Sequence, residues 1–175
     1  WVADGAGDGP VFLRQVLPAA AAPGDGAAVA HTRAIYLDRR GGVISPGPND
    51  ARQFTSTLVR QPRAIGGWDA SDAEWAATVD CLRALWAPFD VAITDVDPGD
   101  TPHMTAMFGG APADLGMPDE LGGVAPFASD CGVVEHAIVF AFTANLPRRP
   151  RTVCEVMAQE LGHAYGLDHE LVAAD

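Results

Sequence analysis

HAIVFAFTANLPRRPRTVCEVMAQELGHAYGLDH, residues 136–169, is the stretch on which the fold turns. It begins with HAIVFAFT, an almost unbroken apolar run, as expected of a strand buried on both faces. NLPRRPR then reads as a turn. Thr152 and Glu155 have the spacing of a capping box, which predicts a helix over TVCEVMAQELGHAY, residues 152–165. Side chains four apart on a helix share a face, so Gln159 and His163 point the same way with Glu160 on the flank. Gly166 follows the last turn, where a left-handed cap favours glycine. The chain can reverse there and carry His169 back toward His163. Three side chains would then surround one ion and leave a fourth position open, the arrangement of catalytic zinc sites.

Upstream of this stretch, RAIYLD (33–38) reads as a strand, rich in β-branched and aromatic residues. Residues 41–67 are rich in Pro, Gly and polar side chains and read as a long surface loop. SDAEWAATVDCLRALW follows as a helix. Ser71 and Glu74 fit its capping box, Trp75, Val79, Leu82 and Trp86 form one apolar stripe, and Pro88 stops it. VAITDV (91–96) and HMTAMFGG (103–110) are two further strands. GGVAPFAS (122–129) reads as a short edge strand, because its proline suits an edge. Residues 1–30, rich in Ala, Gly, Pro and Asp, read as an irregular leader or linker, and residues 31–175 as one domain. Strands alternating with two long helices predict an α/β fold, a mixed and mostly parallel sheet with the helices packed on it.

The bulk composition removes several function classes. The net charge is −12 and every basic residue is arginine. With no basic stripe, nucleic-acid binding is not expected. No apolar run reaches the ~18 residues of a membrane span. The Ala- and Gly-rich, Lys-free composition points to GC-rich, bacterial coding, and the acidity suits a secreted protein. WVADGAGDGP does not read as a signal peptide. Cys81, Cys131 and Cys154 allow at most one internal bridge with one thiol left over, and the sequence does not say which pair bonds.

The segment QELGHAYGLDH resembles the metzincin clan of zinc endopeptidases, whose helix reads HExxHxxGxxH. Glu160, His163, Gly166 and His169 match that pattern, and Gln159 stands in place of its first histidine. The order of strands and helices over roughly residues 32–169 is also similar to that clan, closest to its bacterial secreted members. The resemblance implies a zincin-like catalytic domain, with an antiparallel edge strand on a twisted, mostly parallel sheet. It implies Zn2+ held by Gln159, His163 and His169, and Glu160 as general base and then acid in hydrolysis of a protein or peptide by metal-activated water. It also implies that Gly123, Val124 and Ala125 on the edge strand pair with substrate backbone, and that a methionine-containing turn lies downstream of His169. Residues 170–175, ELVAAD, carry no methionine, and Met104, Met107, Met117 and Met157 all precede the motif.

Other readings stand beside this one. A neutral amide oxygen is a poorer zinc donor than an imidazole nitrogen. The scaffold could therefore act as a binding module for proteins or peptides without hydrolysis. His103, His136 or Asp168 could instead replace the missing histidine ligand. Asp95, Asp97 and Asp100, and the DGAGDG run at 4–9, have the oxygen chemistry of a Ca2+ loop, although a solvated acidic turn or a flexible linker explains them as well. Tyr165 beside the motif could face an oxyanion or pack into the core, and core packing is the expected role.

Overall fold

A computed structural model describes residues 2–4, 11–17 and 31–169, the first two segments by their backbone. The apolar runs form the expected strands: β3 (Ala34–Asp38), β7 (Ala92–Thr94), β8 (Met104–Phe108), β9 (Leu121–Ala128) and β10 (Ile138–Ala141). Two strands precede them, β1 (Val2–Asp4) and β2 (Val11–Leu17). The seven make one sheet in the order β1-β2-β9-β10-β8-β3-β7. Pairing is antiparallel at β1/β2 and β9/β10 and parallel at the other four contacts. The fold is thus α/β with a mixed, mostly parallel sheet and two long helices.

Helix α1 (Asp72–Trp86) begins where the sequence placed it. The Ser71 hydroxyl accepts from the Glu74 amide, and the Glu74 side chain accepts from the Ser71 amide. Arg148 also grips the Glu74 carboxylate. That contact and the Ser71 hydrogen bonds hold the carboxyl at about 2, well below its ordinary range. Helix α2 (Pro150–Ala164) starts earlier than the predicted Thr152 cap, with Pro150 in its first turn and Arg149 as a cap without a side-chain hydrogen bond. Proline wins this position because its fixed φ suits a first turn and its missing N–H has no partner there to lose. Glu155, predicted to close the capping box, pairs instead with Arg151 one turn earlier.

Both helices pack on one face of the sheet. Val139 and Ala141 of β10 and Ala106 and Phe108 of β8 meet Val79 and Leu82 of α1 and Val153, Met157 and Leu161 of α2. The alternate residues Ile138, Phe140 and Met107 enter a second core on the opposite face. HAIVFAFT is apolar throughout because both of its faces are covered. Each fully buried side chain of this size contributes about 1.5–3 kcal/mol relative to exposure. A disulfide between Cys81 of α1 and Cys154 of α2 ties the two helices together, and Cys131 is left as an exposed thiol.

Three sequence expectations are corrected here. Residues 41–67 are not an irregular loop. They form β4 (Gly41–Pro46), β5 (Thr55–Ser56) and β6 (Arg63–Gly66), a three-stranded sheet in the order β5-β4-β6. Ile44 and Ile65 anchor this sheet in the second core, so two well-placed apolar residues outweigh the Gly and Pro content. The second correction concerns residues 1–30, where VAD and VFLRQVL pair as strands within the stretch read as irregular. Because β2 runs alongside β9, the strand expected at the edge is interior. Its antiparallel pairing with β10 is as expected, but β2 covers its other side. Among the described residues no helix is long and apolar enough to cross a membrane.

Candidate metal centre

The end of α2 determines the geometry of the motif. Tyr165 is the C-cap and Gly166 adopts φ +84°. The Leu167 amide donates to the Gly162 carbonyl and the Gly166 amide to that of His163, the paired hydrogen bonds of a Schellman cap. Glycine is required at 166 on a second count. A Cβ there would lie 2.0 Å from the carbonyl oxygen of Cys131. Leu167 then presents its carbonyl to His163 Nδ1 at 2.9 Å. That bond puts the His163 proton on Nδ1 and leaves the Nε2 lone pair facing outward, the orientation a ligating histidine needs.

The predicted triad comes together. His169 Nε2 lies 3.0 Å from His163 Nε2 and 3.0 Å from the Gln159 side-chain amide. Ligands around a tetrahedral zinc at 2.0–2.1 Å would sit roughly 3.3 Å apart, close to these two separations. The amide atom facing His169 is the nitrogen, and a half-turn of the side-chain amide exchanges it for the oxygen. The two imidazoles lie parallel, 4.8 Å between centroids, and Phe127 of β9 packs edge-on against His163. The three side chains, with Gly162, Leu167 and Asp168, line a cavity of about 330 Å³ open to solvent. Among the described residues no group of three or more His, Cys, Asp or Glu side chains is placed to hold a metal. Only by counting the Gln159 amide does the site reach three donors.

Glu160 is fully buried. It does not line the open cavity but packs beneath β9, against Gly123. A Cβ on Gly123 would fall 2.7 Å from Glu160 Oε1, so the glycine makes room for the carboxylate. Gly123, expected from the resemblance as a substrate contact, has this second role, which no local sequence pattern signals. Val124 and Ala125 are fully buried, Val124 in the second core and Ala125 on the helix side. β2 lies along the outer side of β9 here: Phe12 is in register with Gly123, Leu13 with Val124 and Arg14 with Ala125, after a bulge that skips Gly122.

The alternative ligands lie elsewhere, except one. His103 is buried, its Nδ1 2.7 Å from the Thr101 carbonyl and its ring edge-on to Tyr36. His136 sits at φ +55° beside the Thr32 hydroxyl. Neither lines the cavity. Asp168 does, and its carboxylate accepts from the His169 amide, which steadies the returning chain. Tyr165 turns to the core as expected. It packs on Trp86 and donates to the Thr32 carbonyl, and burial pushes its hydroxyl up to about 12. Of the aspartates considered for calcium, Asp95 accepts from Trp75 and Arg83 and Asp97 from Arg40 and the Gly99 amide. Residues 5–10, with most of the DGAGDG run, and residues 170–175 lie outside those described.

The chain matches no protein-family model, no curated protein and no solved structure. The site's chemistry therefore has to be argued from its own residues.

Proposed function

We propose that this protein is a zinc-dependent endopeptidase of metzincin type, with Gln159, His163 and His169 as the residues that hold the ion. The observation that carries this reading is the meeting of His169 with both Gln159 and His163 at 3.0 Å, produced by a glycine turn that nothing but glycine can occupy. The donor set fits zinc: two neutral imidazoles, one of them oriented by a carbonyl, and one amide, with open space on the outer side. A zinc ion held there supplies Lewis acidity and makes water acidic near neutral pH.

Glu160 is the protein's own acid–base group. Complete burial of a carboxylate is rare and costly, and here a glycine on the neighbouring strand is given up to accommodate it. With the ion bound, Glu160, the residue after Gln159 on the motif helix, would serve as general base and then general acid. Phe127 limits the movement of His163 from the strand side. A peptide strand could pair with the outer side of β9 beside Gly123, Val124 and Ala125 only in place of β2, which is paired there. The disulfide agrees with an oxidising, extracytoplasmic setting.

Strand β2 and a substrate strand compete for one set of hydrogen-bonding groups. Deletion of residues 1–30 is therefore expected to speed cleavage of an unstructured polypeptide such as denatured casein by about tenfold or more, in a chelator-sensitive manner. Cleavage that is absent in both forms, with stoichiometric zinc present, would refute the hydrolytic reading. It would favour the binding module that the Gln159 substitution also allows.

A further inference from the structure

A cavity of about 560 Å³ lies away from the candidate metal centre and shares no residue with it. It opens between the segment leading into β6 and the 3-10 turn Pro112–Leu115. Leu58, Leu115 and Met117, all nearly buried, supply apolar surface, and Arg60, Gln61 and Arg63 supply polar groups. The arginines stand out against the rest of the molecule. Arg33, Arg39, Arg40, Arg52, Arg83, Arg148 and Arg151 each hold a carboxylate. Among the described residues Arg60, Arg63 and Arg149 hold none, and two of these three line the same cavity. In a chain of net charge −12, cations left without an acidic partner are scarce, and two converging on one hollow call for an anion.

The Arg63 guanidinium is also seated. Gly116 adopts φ +74°, and a Cβ there would lie 2.8 Å from Arg63 Nη2. The glycine thus lets the planar group lie against the turn. The nearby Asp114 carboxylate is directed to the Ala111 amide. A positioned guanidinium presents paired N–H donors that match a carboxylate. A cavity of this size with an apolar floor and a few polar groups has the make-up of a small-molecule site. The acidic surface repels a dianion more than a monoanion, which favours carboxylate over phosphate.

We infer that this cavity binds a monoanionic carboxylate carrying an apolar body, with Arg63 and Arg60 on the carboxylate and Leu58, Leu115 and Met117 against the body. A branched aliphatic acid or the free C-terminus of a peptide ending in such a residue has this chemistry. The inference does not depend on the metal centre.

Calorimetric titration of the full chain with N-acetylleucine, N-acetylleucinamide and acetate tests it. The acid is expected to bind, and the amide and acetate to bind at least about tenfold more weakly. Arg63→Gln and, separately, the exposed Arg60→Gln should each weaken N-acetylleucine by about tenfold while leaving the far-ultraviolet circular dichroism unchanged. A decapeptide ending in leucine with a free carboxylate separates the two sources: affinity equal to that of N-acetylleucine assigns the site to chain ends, and weaker binding assigns it to small free acids. Equal affinity for acid and amide, no heat with the acid at about 10 mM, or unchanged binding in both arginine variants would overturn the inference.

Discussion

Glu160→Gln is expected to lower chelator-sensitive peptide cleavage by about 10²–10⁴-fold while zinc binding is retained. The substitution preserves the side chain's volume, so the tight packing against Gly123 survives, and the ligands are untouched. What is lost is the only group in the proposed mechanism that can accept a proton from the attacking water. The measurement is a steady-state rate on a quenched-fluorescence peptide, paired with metal content of the same preparation. A rate that does not change, in protein that carries metal, would remove Glu160 from the chemistry. Loss of metal together with rate would mean that the carboxylate serves the ion's site instead.

The second large effect is on stability. Replacing Cys81 and Cys154 together by serine is expected to lower the unfolding free energy by about 4 kcal/mol, from the loop entropy that a crosslink across 73 residues removes from the unfolded chain. The bridge joins the middle of α1 to the early part of α2, the helix that carries the motif. Its loss should therefore also loosen the motif helix against the sheet. Denaturant melts of the oxidised protein and the double variant measure the difference. A midpoint shift corresponding to less than about 1 kcal/mol would show that helix packing alone fixes the pair.

Much of the helix side of the molecule was legible in the sequence, because periodicity and capping act locally. Ser71 and Glu74 cap α1 as their spacing requires, and HAIVFAFT is buried on both faces. The 3.6-residue repeat brings Gln159 and His163 to one side, and Gly166 turns the chain as its missing side chain allows. Features that depend on distant residues were not legible. Ile44 and Ile65 form part of the second core only once the main sheet exists, so residues 41–67 read as loop. Pairing of β2 with β9 needs the chain to return across the sheet, which no local pattern announces, and it turns the expected edge into an interior strand. The space that Gly123 leaves for Glu160 likewise joins residues far apart in sequence. The His163 hydrogen bond to the Leu167 carbonyl had a local signal, since the cap that Gly166 forms fixes where that carbonyl points.

The proposed function rests on one divalent ion shared by an amide and two imidazoles at the end of α2. Elemental analysis of the full chain purified without chelator, alongside a Gln159→His variant, tests it most directly. One equivalent of zinc is expected in both, held more tightly by the variant by a factor on the order of ten, because imidazole replaces a weaker oxygen donor. Absence of stoichiometric transition metal from both proteins, or equal affinity in the two, would contradict it.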